Sequence, residues 1–273
     1  MVLLGVMLLA GASGSVTCHS AEAVSRQARV SSPRNIILIM ADDLGYHSLS
    51  AYGCDEFQTP NLDRLARSGM VFTQCHARAM CSPTRTVLLG GRTLDRASMG
   101  QVPSQSMAEV LAAEGLYCGF SGKWMQRNMP WDHGFAEGLV QVNWYKYYGP
   151  HFVVFNSGGY LREHNLPQPL PEKMLDRDLA VEGDQAQAFK LREEYGPEVL
   201  NRFAIDFIDR HKNRRFFLYY PMKLPHAPVL PTPDSERTPE IERLIETARD
   251  IPVEDHGYSL KGDRRWRNDV VAY

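Results

Sequence analysis

Between Arg34 and Ala41 the chain reads RNIILIMA, an unbroken apolar run closed by Pro33 and Asp42. A run without polar alternation predicts a strand buried on both faces, as in a sheet covered by helices. After Thr59 the period changes. Leu62, Leu65 and Ala66 recur at helical spacing, with Thr59 as N-cap, Pro60 as the first helical residue and Gly69 as the stop. Met70–Ala77 (MVFTQCHA) predicts a second strand, Ser82–Leu89 a helix ended by Gly90 and Gly91, and Met107, Val110 and Leu111 a helix stopping at Gly115. The stretch LYCGFSGK predicts a strand ending at Lys123. From Trp131 to Tyr195 the chain is aromatic and loop-rich, with no dominant period. Order returns at Gly196-Pro197, which opens a helix carrying Val199, Leu200, Phe203, Phe207 and Ile208 on one side. The strand FFLYY (Phe216–Tyr220) follows, and a last helix from Thr238-Pro239 would bury Ile241, Leu244, Ile245 and Ala248. This βαβα alternation predicts an α/β fold: a large, mostly parallel mixed sheet with helices on both faces.

Composition narrows the class without naming it. With 273 residues, 44% hydrophobic and 23% charged, the chain can bury a sizeable core. A net charge of -2 provides no basic footprint for nucleic acid and no polybasic arm for a membrane surface. The N-terminus MVLLGVMLLAGASGSV, followed by Ala21-Glu22-Ala23, reads as a signal peptide over residues 1–23. It lacks a positive n-region, since the first arginine is Arg26. Residues 24–33 then form a short linker, and no later stretch reaches the roughly 20 apolar residues of a membrane span. The chain is therefore expected to be exported, to a periplasmic, extracellular or lysosome-like compartment where Cys54, Cys75, Cys81 and Cys118 meet oxidising conditions.

Candidate chemistry gathers where strands end, the usual place for sites in α/β folds. Asp42 and Asp43 close the first strand, Cys81 follows the second, Lys123 ends the next and His226 follows FFLYY. Adjacent carboxylates repel unless a cation joins them, so Asp42-Asp43 reads either as a solvated turn or as a site for a hard divalent ion. Cys81 precedes a helix, where backbone N–H groups favour an anion, and Arg85 lies one turn on. It is either a reactive position or an inert buried thiol. The Cys-to-Arg spacing is too short for a cysteine phosphatase loop. Lys123 could clamp an anion, and His226, between Pro225 and Pro228, is held in a rigid segment suited to a ligand or proton donor.

The segments NIILIMADDLGYHSLSAYG, TPNLDRLARSGMVFTQCHA, CSPTRTVLLGGR, GKW and FFLYYPMKLPHAP together resemble the type I, formylglycine-dependent sulfatases of the alkaline-phosphatase superfamily, arylsulfatase-like in kind, from Asn35 to Pro228. The resemblance implies that 34–273 is the N-terminal portion of a sulfatase catalytic domain. It implies that Cys81 is oxidised to formylglycine by a formylglycine-generating enzyme that reads Cys-x-Pro-x-Arg during export. The hydrated aldehyde would attack sulfur, release the alcohol and leave a sulfate ester, which collapses to the aldehyde when the second hydroxyl loses its proton. Asp42, Asp43 and residue 81 would bind Ca2+, or Mg2+ in its place. Arg85 would hold the diol, Lys123 the diol and a sulfate oxygen, and His226 the sulfate near the leaving oxygen. The implied substrate is a sulfated small molecule or glycan.

Two features depart from that pattern. The family commonly has histidine after Gly-Lys-Trp, as the base that collapses the sulfated intermediate, but Met125 stands here. The family takes further metal ligands from a downstream Asp-Asn and a later lysine, but no Asp-Asn dipeptide is found before Tyr273, which implies a C-terminally truncated sulfatase with an uncovered sheet edge. Two other readings stay open: a phosphonate or phosphodiester hydrolase of the same superfamily, and a non-catalytic fragment that binds sulfated glycans. Trp144, Tyr145, Tyr147 and Tyr148 either stack on sugar rings or pack over the sheet.

Overall fold

The computed structural model describes residues 35–93, 100–102, 105–142, 146–156, 186–190, 194–227 and 230–235, together with Thr238, Pro239, Glu242 and Arg243. The leader, the linker and the apolar residues expected in a last helix lie outside them, as do Trp144 and Tyr145. Among the described residues six strands are formed: β1 (Asn35–Met40), β2 (Tyr117–Gly122), β3 (Glu137–Gln141), β4 (His151–Phe155), β5 (Ala186–Lys190) and β6 (Phe216–Pro221). Four α-helices among the described residues accompany them: α1 (Pro60–Ser68), α2 (Cys81–Gly90), α3 (Met107–Ala113) and α4 (Gly196–His211). The strands lie side by side in the order β1-β6-β2-β3-β4-β5. The pairings β1 with β6, β6 with β2, and β2 with β3 are parallel, whereas β4 runs antiparallel to both its neighbours.

The apolar run of β6 explains why both faces need cover. Phe217 and Tyr219 point into one layer, which they share with Met40, Leu89, Ala108, Cys118 and Phe120 beneath α2 and α3. Phe216, Leu218 and Tyr220 point the other way, onto Val199, Leu200, Phe203 and Phe207 of α4. Each fully buried side chain of this size contributes roughly 1.5–3 kcal/mol. Gly119 in β2 makes the second layer possible, since a Cβ there would lie 2.2 Å from the Phe207 ring. α3 is started by a reciprocal capping box between Ser106 and Glu109.

Three expectations need correction. Met70–Ala77 is not a strand: Met70 is 69% exposed, and no strand among the described residues flanks the segment. Extended backbone with no neighbour to share its hydrogen bonds does not form a ladder, however β-prone its side chains. β1 is not buried on both faces either. It is an edge strand among the described residues, and Ile39 is partly exposed. The stretch left unassigned, 131–195, contains β3, β4 and β5. No helix among the described residues is long and apolar enough to cross a membrane.

At the amino end of β3, far from the strand termini that carry the candidate site, the buried Glu137 carboxylate receives Arg210 at 2.7 and 3.2 Å and the Tyr117 hydroxyl at 3.1 Å. Burial alone would raise this carboxyl, but the hydrogen bonds and charge of Arg210 outweigh it and hold Glu137 below the ordinary glutamate value. A depressed carboxylate stabilises the fold above its unfolded-state pKa and loses that contribution as pH falls through the folded value. Glu137→Gln is therefore expected to lower stability by about 2–3 kcal/mol at neutral pH, somewhat under a fully buried pair because Arg210 is partly exposed. The gap should narrow in urea denaturation series taken below about pH 4.5, a carboxylate's unfolded range. A difference that stays constant into acid would rule this ion pair out as its source.

Candidate active site

Parallel alignment brings the ends of β1, β6 and β2 to one margin of the sheet. Lys123 N–H donates to the Pro221 carbonyl at 3.0 Å, Met222 N–H to Met40 at 2.8 Å, and Asp42 N–H to Leu224 at 2.9 Å. Gly122 is required at this crossing. Its φ is +143°, and a Cβ would lie 2.1 Å from the Pro221 carbonyl oxygen. The chain can therefore turn Lys123 inward only from glycine.

Asp42 is wholly buried and is the focus of the charges. Lys123 Nζ donates to its Oδ2 at 2.6 Å, and Arg85 Nη2 approaches its Oδ1 at 3.2 Å, out of line for a hydrogen bond. Arg85 Nη1 also donates to the Lys123 carbonyl at 2.5 Å, so the arginine braces the residue whose amine shares its carboxylate. Arg85 is carried there by α2, one turn after Cys81, which begins that helix and stays partly exposed. The contrast with Cys118 is chemical: burial pushes that thiol up to about 11, leaving it inert at neutral pH, and it packs in the core beside Ala108. Neither Cys54, Cys81 nor Cys118 is in a disulfide.

Asp43, 53% exposed, points to the other side and meets His226 Nε2 at 3.4 Å. His226 is itself buried, its Nδ1 2.5 Å from the Ala227 carbonyl oxygen, and the Tyr147 hydroxyl donates to its carbonyl. Two non-glycine residues adopt left-handed backbone here, Asp43 with φ 63° and Met125 with φ 57°. Strain of this kind gathers at sites whose surroundings over-determine it. Beyond Met125, Gln126 locks the loop to α2: Thr86 Oγ1 donates to Gln126 Oε1 at 2.7 Å, and Gln126 Nε2 to the Ser82 carbonyl at 3.2 Å.

The structure thus brings Asp42, Arg85 and Lys123 into one buried cluster and sets Asp43 and His226 against each other beside it. Cys81 follows a loop instead of the strand expected before it. Tyr147 and Tyr148 are buried against Tyr195 and Leu230, so they pack among themselves and present no stacking surface to a sugar. Sequence reasoning passed over Lys223 and the Thr86–Gln126 tie, and it named Tyr147 for stacking or packing, not for the hydroxyl that holds the His226 carbonyl. The lysine and the glutamine looked like isolated polar residues, and no pattern along the chain revealed their burial.

A hard cation prefers oxygen donors, and calcium collects about six to eight of them. Asp42 Oδ1 is buried with no hydrogen bond, and the Asp43 carboxylate lies next to it in the chain. These donors fit such an ion in chemistry and would supply only part of its shell. Among the described residues no group of three or more His, Cys, Asp or Glu side chains converges to complete it.

A mixed, mostly parallel sheet with charged residues at the carboxyl ends of its strands defines an α/β domain of the alkaline-phosphatase-like class. The sulfatase family model matches residues 34–252, and the chain belongs to that family. It is 34% identical over 224 residues to arylsulfatase A of Bos taurus, covering 72% of this chain and 42% of that protein. It is 29% identical over 245 residues to N-acetylgalactosamine-6-sulfatase of Canis lupus familiaris, covering 80% and 45%. A structure solved in complex with its substrate, D-glucosamine-2-N,6-O-disulfate, matches with a TM-score of 0.56 at 26% identity, covering 73% of this chain and 36% of that one. The chain spans less than half the length of the curated relatives it matches.

Proposed function

We propose that the chain carries the nucleophile-bearing part of a sulfuric-ester hydrolase acting on a sulfated small molecule or glycan. The observation that carries this is a buried carboxylate at the strand ends, Asp42, shared by Lys123 and by Arg85, the latter on a helix that opens with Cys81-Ser82-Pro83-Thr84-Arg85. Cys81 is the residue that a formylglycine-generating enzyme would convert along an export route. Once formed, the hydrated aldehyde supplies an oxygen nucleophile and a route for sulfate release that a serine ester lacks. Asp42 and Asp43, with an oxygen of residue 81, would hold Ca2+ or Mg2+, which neutralises sulfate charge. Arg85 fixes residue 81 from one turn away, Lys123 carries positive charge to the sulfate oxygens, and His226 donates near the leaving oxygen. The relative solved with a sulfated glucosamine supports a sulfated sugar as substrate.

The test compares p-nitrophenyl sulfate with p-nitrophenyl phosphate and a phosphodiester, using protein co-produced with the modifying enzyme and a Cys81→Ala control. Reaction with the sulfate ester, lost in the alanine variant, is the expected outcome. Preference for the diester would move the assignment to phosphodiester chemistry. No reaction, together with retention of sulfated glycans on the protein, would make it a binding fragment.

A further inference from the structure

Lys223 has no part in the chemistry above, yet it belongs to the same ring of charge. It leaves β6 three residues before His226, whose N–H donates to the Lys223 carbonyl at 3.0 Å. The side chain is 1% exposed, and its ammonium nitrogen has no hydrogen-bond acceptor among the described residues. It rests 3.5 Å from the centroid of the Tyr147 ring. That ring offers some attraction to a cation, and its hydroxyl ties down His226, so lysine, tyrosine and histidine form one packed unit.

A buried ammonium is costly unless a carboxylate or other acceptor meets it. Asp42 attracts Lys223, but that carboxylate is already engaged by Lys123 and Arg85. Burial, and then repulsion from Lys123, hold the Lys223 amine well below the ordinary lysine value. Two basic side chains thus hold this buried carboxylate, and Lys223 lies within its electrostatic reach without a contact to it. A structural lysine would be expected to reach solvent or a partner, as long side chains do. This one is held inside, two residues past the end of β6, the strand that runs parallel to the one Lys123 follows.

We propose that Lys223 is a second anion-binding lysine of this site, donating to an oxygen of the bound sulfate group alongside Lys123. The proposal rests on reading the site as one for sulfate esters. An incoming sulfate supplies the missing acceptor and offsets the excess positive charge, so the lysine's unfavourable burial before binding becomes a charge-assisted hydrogen bond after it.

The experiment titrates the chain with sodium sulfate against sodium chloride of equal ionic strength, following affinity by calorimetry and the melting temperature in parallel. Lys223→Met should weaken sulfate binding by about tenfold or more. Without sulfate it should melt no lower than the native chain, because an uncompensated buried amine has been removed. Lys223→Gln gives a second, polar variant should the methionine form not fold, with the same loss expected. Lys123→Met separates the two ideas. If it weakens sulfate binding while the Lys223 variants bind as the native chain does, Lys223 is no anion ligand and the proposal falls alone. If the native chain binds no sulfate, or Lys123→Met changes nothing, the sulfate reading of the site falls with it. A Lys223 variant that melts lower but keeps its sulfate affinity identifies a purely structural lysine and also overturns the proposal.

Discussion

A histidine in place of Met125 is expected to raise steady-state hydrolysis of a sulfate ester by about 10²- to 10⁴-fold, the usual worth of a positioned general base. The position follows Lys123 and Trp124 directly, and Trp124 is anchored in the core by Phe120 and Phe135 and by a hydrogen bond from its indole N–H to the Asn128 carbonyl. On the other side Gln126 is tied to α2, so residue 125 projects from a loop fixed at both ends. A thioether cannot accept a proton at neutral pH. The native chain should therefore show a stoichiometric burst of alcohol and then slow release of sulfate, whereas Met125→His should turn over continuously. Backbone strain favours the same change: at φ 57° histidine is among the better tolerated side chains, and methionine is not. Met125→Ala should leave the burst pattern unaltered. Equal turnover of the native and histidine forms, with no burst in either, would show that another group already serves as the base.

Loss of the Asp42 charge should have the largest effect on stability. Asp42→Asn leaves Arg85 and Lys123 buried without their shared anion, and breaking a buried pair in this way costs about 3–5 kcal/mol. Asp43→Asn makes a useful contrast. That side chain is half exposed and meets only His226 at 3.4 Å, so its removal should cost no more than about 1 kcal/mol. Both substitutions should abolish hydrolysis if both carboxylates hold the cation, so the pair separates folding from catalysis. Urea midpoints decide the matter. An Asp42→Asn chain unfolding at the native midpoint would mean that the cations find other partners, and that Asp42 is not the centre of the charge cluster.

The parts of the fold legible along the chain were those where burial imposes a period. RNIILIMA and FFLYY announced β1 and β6, and the apolar face of α4 was visible from Val199 to Ile208 because it must cover Phe216 and Leu218. β3, β4 and β5 are five residues each and sit among aromatic loop sequence, so their apolar positions did not form a recognisable run. MVFTQCHA failed for the opposite reason: its composition is strand-like, but a strand is a property of two segments, and the described structure provides no partner. At the site, residues following a strand and carrying an obvious charge, Asp42, Asp43, Lys123 and His226, were readable from position alone. Lys223 was not, because a lysine between Met222 and Leu224 reads as surface until the Tyr147 ring is found above it.

Mass spectrometry of the peptide that contains residue 81 shows whether that residue is the nucleophile of a sulfate-ester reaction. In protein co-produced with the formylglycine-generating enzyme, an aldehyde or its hydrate is expected in place of the Cys81 thiol, and a sulfate adduct on that residue after brief exposure to a sulfate ester. An unmodified thiol at position 81 in protein that still hydrolyses the ester would contradict that role.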